Sequence, residues 1–116
     1  NKEINKNIGI YCRSCGKLVN VVDDIKLSNY TVPSYVKRGD LLISISTGGK
    51  SPSLSSKIKK ELEEKYDDSY EEYINILGEI RQKVIKNYKN ISERRKVLKD
   101  LVNLGLEELK TLENKF

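Results

Sequence analysis

The chain has 116 residues, 37% hydrophobic and 34% charged; its 22 Lys and Arg against 17 Asp and Glu give a net charge of +5. That length allows one domain or two small subdomains with a modest core, so association is expected, and the positive balance favours an anionic partner: nucleic acid, an acidic membrane or a polycarboxylate. No apolar run approaches the ~20 residues of a membrane helix and no signal-peptide pattern opens the chain, so the expectation is a cytoplasmic protein with no membrane partner.

Ile4, Ile8 and Tyr11 or Cys12 recur at helical spacing, and Gly16 stands where that helix should stop. The chain opens with Asn1 inside this pattern, which reads as a fragment of something longer. Leu18-Val19-Asn20-Val21-Val22 is almost wholly apolar and rich in branched residues, as expected of a parallel strand covered on both faces. A single helix-then-strand unit does not complete a doubly wound sheet, so the rest is expected from further residues or a partner chain. Residues 29–37 and 41–46 both alternate: Tyr30, Val32 and Ser34 with Thr31 and Pro33, then Leu41, Ile43 and Ile45 with Leu42, Ser44 and Ser46. Joined at Arg38, Gly39 and Asp40 they read as a hairpin, and Pro33, which has no N–H to donate, puts its strand at an edge or a bulge.

From Pro52 onward the pattern is helical. Ser51 and Pro52 supply an N-cap and a first-turn residue, and Leu54, Ile58 and Leu62 form a stripe. Asp68 with Glu71 and Asn90 with Glu93 have capping-box spacing. Between them Tyr70, Tyr73, Ile74, Leu77, Ile80, Val84 and Tyr88 make a long apolar face; Val97, Leu98, Leu101 and Val102 make another, and Leu106, Leu109 and Leu112 a last one after Gly105. The carboxyl half is thus expected to be a small helical bundle.

Several residues carry chemical potential. Asp23 stands at the carboxyl end of the expected strand, where ligands bind on open α/β sheets; partial desolvation there raises its affinity for a proton or a metal ion, while the plainer reading has Asp23 or Asp24 capping a turn. Asn20 is a polar residue within the same apolar run and needs partners for its amide. Thr47-Gly48-Gly49-Lys50-Ser51 runs into a helix start, which suits an anion, with Lys37, Lys50 and Lys57 adding attraction; it is also simply a tight strand-to-helix turn. A nucleotide-binding P-loop is excluded, because Ser44 stands where its first glycine is required. Cys12 and Cys15, in a chain with no His and no other Cys, cannot complete a structural zinc site and read as reduced thiols.

Asn20-Val21-Val22-Asp23 and Ser46-Thr47-Gly48-Gly49 followed by Ser51-Pro52 resemble the signature of the siroheme synthase family, in which precorrin-2 dehydrogenase and sirohydrochlorin ferrochelatase activities share one site. The likeness continues more loosely through Ser92-Glu93-Arg94-Arg95. It implies an α+β fragment with residues 1–28 as the last helix and strand of a Rossmann domain, 29–66 as a dimerisation segment of strands plus helix, and 67–116 as a helical domain. It further implies that Asp23 accepts a proton during precorrin-2 oxidation and assists metal insertion as a transient metal contact. Asn20, Ser46, Thr47, Gly48, Gly49, Lys50 and Ser51 would bind the tetrapyrrole. NAD would serve the intact enzyme but not this fragment, which shows no glycine-rich NAD turn, and Fe2+ or Co2+ would be the metal substrate. The family's homodimerisation is expected here through the hairpin. Thr47 departs from the family's frequent Ser but keeps the hydroxyl. The alternative is a non-catalytic dimerisation and tetrapyrrole-binding module. A nucleic-acid partner is not expected, since the lysines are interspersed with glutamates and no recognition motif appears.

Overall fold

The structure is a computed structural model that describes residues 1–21, 26, 28 and 32–116. Among them are five helices and one two-stranded antiparallel sheet: α1 (Lys2–Ser14), β1 (Ser34–Arg38), β2 (Leu41–Ile45), α2 (Pro52–Lys65), α3 (Ser69–Asn87), α4 (Ile91–Leu101) and α5 (Leu106–Glu113). They divide into two compact units, Asn1–Tyr35 with Ser44–Leu62, and Val36–Ile43 with Glu63–Phe116. The architecture is therefore α+β, with an antiparallel hairpin as its only sheet among the described residues.

In the first unit, α1 begins where the Asn1 side-chain oxygen Oδ1 accepts the N–H of Glu3 at 3.0 Å and of Ile4 at 3.4 Å. It ends in a Schellman arrangement: Lys17 N–H reaches back to the Cys12 carbonyl at 2.9 Å and Gly16 N–H to the Arg13 carbonyl at 3.1 Å. The Arg13 guanidinium donates to the Lys26 carbonyl. Gly9 is the one buried residue of α1, while the stripe Ile4, Ile8 and Tyr11 lies exposed. The expected strand at 18–22 is not found among the described residues: 17–20 are irregular and Val21 makes an isolated bridge. A strand covered on both faces needs neighbours to take its backbone groups and side chains, and here Leu18 is 77% exposed. Val22, Asp23 and Asp24 lie outside the described residues. Cys12 and Cys15 are free thiols, half-buried and exposed respectively.

The other end of the first unit is α2. The Ser51 hydroxyl oxygen accepts Leu54 N–H at 3.2 Å, and Pro52 opens the helix where an N–H would have no helical partner. The buried flank is rotated from the expected one: Leu54 is 47% exposed, and Ser55, at 8%, is the residue turned inward above Ile58 and Leu62. The Lys59 ammonium lies 5.9 Å from the centre of the Tyr35 ring.

The hairpin begins immediately after Pro33 and turns at Gly39-Asp40; residues 29–31 of its expected first strand lie outside the described residues. A two-residue turn pairs Arg38 with Leu41 and Val36 with Ile43, so Tyr35, Lys37, Leu42 and Ser44 share the outer face. Burial follows this register, with Val36 buried and Tyr35 and Leu42 exposed.

In the second unit Arg38 ties the hairpin turn to the start of α3. Its Nε donates to the Tyr66 carbonyl at 2.9 Å and lies 3.7 Å from the Asp68 carboxylate. The cap of α3 differs from expectation: Asp67, not Asp68, accepts Ser69 N–H, at 3.0 Å. Hydrogen bonds from the Ser69 hydroxyl and N–H hold the Asp67 carboxyl below its usual range. At α4, Asn90 accepts Ser92 N–H at 2.8 Å, and before α5 the Glu108 carboxylate accepts Gly105 N–H at 3.0 Å. Ile80, Val84 and Leu109 are fully enclosed, with Ile76 and Leu101 beside them and Tyr73, Leu77, Leu98 and Phe116 packed around. The Tyr73 hydroxyl donates to the Leu104 carbonyl at 2.9 Å, and the Tyr66, Tyr70 and Tyr73 rings follow one another at 4.9 and 5.5 Å. None of the described helices is long and apolar enough to cross a membrane.

Candidate functional site

The turn from β2 into α2 is stitched by its own side chains. The Ser46 hydroxyl oxygen accepts Gly48 N–H at 3.2 Å, and the Thr47 hydroxyl oxygen accepts Ser51 N–H at 3.0 Å. Lys50 N–H bonds the Thr47 carbonyl at 3.2 Å. Gly48 and Gly49 have φ of 64° and 76°, the left-handed conformation that bends the chain this sharply. Of the four N–H groups at 48–51, only that of Gly49 has no partner among the described residues. The turn is therefore no open nest of backbone donors. What it presents instead are hydroxyl groups whose oxygens already accept, leaving O–H to donate outward.

These hydroxyls face a cleft of about 210 Å³, all within the first unit, bordered by Ser34, Ser46, Thr47, Gly49, Ser55 and Ser56 with Val32, Ile45 and Pro52 as its apolar wall. The amino end of α2 meets it, adding the partial positive charge of a helix start. Such a mixture suits a carboxylate on a short apolar stem. Of the residues singled out in the sequence, Ser46, Thr47 and Gly49 border the cleft, Ser51 caps the helix beneath it, and Gly48 and Lys50 are exposed and do not border it. Ser34, Ser55 and Ser56 were missed. The signal for Ser55 was its position one residue from the apolar stripe, which a rotation of the helix brings inward.

A second, smaller cleft of about 130 Å³ lies between α1 and the segment that follows it, bordered by Asn5, Ile8, Val19, Asn20 and Val21. Asn20 is exposed here, not enclosed in a strand core. Ser28 fixes it: the Ser28 hydroxyl oxygen accepts Val21 N–H at 2.8 Å, and its hydroxyl lies 3.3 Å from the Asn20 side-chain oxygen. The one Ser28 O–H has two acceptors within reach, this oxygen and the Val21 carbonyl at 3.4 Å, and the amide NH2 of Asn20 is the end that can donate to a ligand. Asp23 lies outside the described residues. Among the described residues no cluster of three or more acidic, Cys or His side chains could hold a metal ion.

A family model described as the central part of sirohaem biosynthesis proteins matches residues 38–65. Over 78 residues the chain is 42% identical to a siroheme synthase of Xylella fastidiosa, covering 67% of this chain and 16% of that protein. Over 98 residues it is 35% identical to a precorrin-2 dehydrogenase of Methanosarcina barkeri, covering 84% and 43%. A solved structure titled "SirC, precorrin-2 dehydrogenase" superposes with a TM-score of 0.69 at 30% identity, over 87% of this chain and 54% of that one. The chain belongs to the siroheme synthase family. It spans less than half the length of these two curated relatives. The stretch matched by the family model holds the hairpin turn, the Ser46–Ser51 turn and all of α2, and so most of the border of the larger cleft.

Proposed function

We propose that this chain forms the tetrapyrrole-binding part of a precorrin-2 dehydrogenase, yielding sirohydrochlorin, with insertion of iron or cobalt as a second activity at the same site. The observation that carries the reading is the cleft: hydroxyl donors and a helix amino end converge at the Ser46–Ser51 signature, and precorrin-2 and sirohydrochlorin carry many carboxylates. At about 210 Å³ the cleft is smaller than the ~300–1,000 Å³ of sites that enclose a drug-sized ligand, so it takes a carboxylate arm while the macrocycle lies outside. Asn20 donates to the macrocycle or its arms from the smaller cleft, and Asp23 is the base. In this reading residues 1–28 are the remnant of a cofactor domain, 29–66 the dimerisation segment and 67–116 the helical domain.

NAD is the hydride acceptor that the whole enzyme requires, and the described residues do not fit it. A dinucleotide needs a parallel strand entering a glycine-rich turn with free N–H groups. The glycine pair here follows an antiparallel strand, and its turn spends most of its N–H groups on itself. The contribution of this chain is substrate binding and proton transfer.

Titration with sirohydrochlorin, followed by visible absorbance, tests the reading. A saturable shift is expected, weakened about tenfold or more by Ser46→Ala combined with Thr47→Val, since hydrogen bonds to charged groups contribute about 1.5–3 kcal/mol. An unchanged spectrum at saturating ligand, or a double variant that binds as well as wild type, would overturn it.

A further inference from the structure

Ser55 is the most deeply enclosed polar side chain among the described residues, 8% exposed on the inner flank of α2. Its hydroxyl has no hydrogen-bond partner among the described residues, although Ser46, Thr47 and Ser51 nearby each bond a backbone N–H. No sealed side-chain polar atom among those residues lacks a partner, so the Ser55 oxygen is reached from outside, and it is the cleft that borders it. A helix-interior residue on an inward face would ordinarily be apolar; a hydroxyl open only to the cleft takes its hydrogen-bond partner from whatever occupies the cleft, water or ligand.

We infer that Ser55 is a ligand-binding residue that donates its O–H to a carboxylate arm lying in the cleft at the amino end of α2. The inference rests on the tetrapyrrole reading above and goes further, because Ser55 lies outside the signature and was not singled out in the sequence. Ser46 and Thr47 approach the carboxylate from the turn, Ser55 from the floor, and the helix amino end favours its negative charge. With three hydroxyls in place of a lysine, the pocket recognises the arm by direction and not by net charge, and Lys50 and Lys57 remain exposed to solvent.

Four forms of the chain decide it: wild type, Ser55→Ala, Ser55→Thr and Ser55→Val, each checked for folding by thermal unfolding and titrated with sirohydrochlorin. Thr and Val have the same shape, so any packing disturbance is common to both and only the hydroxyl differs. The expected result is that Ser55→Thr binds within about threefold of wild type while Ser55→Ala and Ser55→Val bind about tenfold more weakly. If all four bind alike, the inference about Ser55 falls and the tetrapyrrole reading stands. Equal weakening in Thr and Val overturns it in favour of a purely spatial role. Failure of wild type to bind at all overturns the reading, and Ser55 with it.

Discussion

Proton loss from carbon during precorrin-2 oxidation and proton loss from pyrrole nitrogen during metal insertion make the same demand on the protein, and in our reading one carboxylate, Asp23, meets both. Asp23→Asn keeps size and hydrogen bonding but removes the base. Precorrin-2 oxidation by the complete enzyme should then fall by about 10²–10⁴-fold while substrate affinity changes little, and Asp24→Asn should be close to neutral. An assay that follows sirohydrochlorin formation and metal insertion separately checks this, and the reverse ranking of the two variants refutes the assignment. A second carboxyl makes a prediction about pH. Glu113 shares a hydrogen bond with Glu79 and sits in its field, which raises its affinity for a proton above the ordinary value. A raised folded-state value means that this contribution is present at low pH and is lost as pH climbs through that value, when two carboxylates must face each other. Glu113→Gln mimics the protonated form. It should raise the unfolding midpoint at pH 7 and lose that advantage near pH 4, as thermal unfolding at the two pH values would reveal.

At the scale of elements, two glycines with the same sign of φ separate conformational strain from steric clash. Gly48, at φ 64°, has nothing within 4 Å of where a Cβ would stand, so Gly48→Ala should cost only the left-handed penalty of about 1–2 kcal/mol. Gly39, at φ 60°, would place a Cβ 2.7 Å from Cγ of Glu71, so Gly39→Ala should destabilise the second unit by clearly more. Urea unfolding of both variants gives the comparison, and equal losses would contradict it. The hairpin and the helices were legible because their signals are local: alternation at 41–45, Gly39-Asp40 at the turn, Pro33 before the first bond of the ladder. Features set by neighbours were not. Leu18–Val22 reads as a buried strand only if other strands flank it, and none does among the described residues. The rotation of α2 that buries Ser55 and exposes Leu54 depends on what the helix lies against, which spacing alone does not contain. The choice of Asp67 over Asp68 as cap is likewise fixed by geometry at the turn, since both residues are chemically suited to it.

For the molecule as a whole, the outer face of the hairpin is the feature that asks for a partner. Tyr35 and Leu42 are 56% and 59% exposed, side chains that association through the hairpin would cover. We predict a homodimer through the hairpin, with sedimentation giving twice the 13.3 kDa chain mass at micromolar concentration. Leu42→Glu should return the monomer without unfolding it; a wild-type monomer would refute the prediction. The tyrosines of the second unit carry a different consequence. The chain has no tryptophan, so its near-ultraviolet absorption belongs chiefly to tyrosine, and the Tyr66, Tyr70 and Tyr73 rings are fixed at 73° and 58° to their neighbours. Rings held at such angles give a near-ultraviolet circular dichroism band that vanishes when packing loosens, even where helices persist. A bound tetrapyrrole, by contrast, absorbs in the visible. Tyrosine packing and ligand binding can thus be followed at separate wavelengths in one cuvette, without any label.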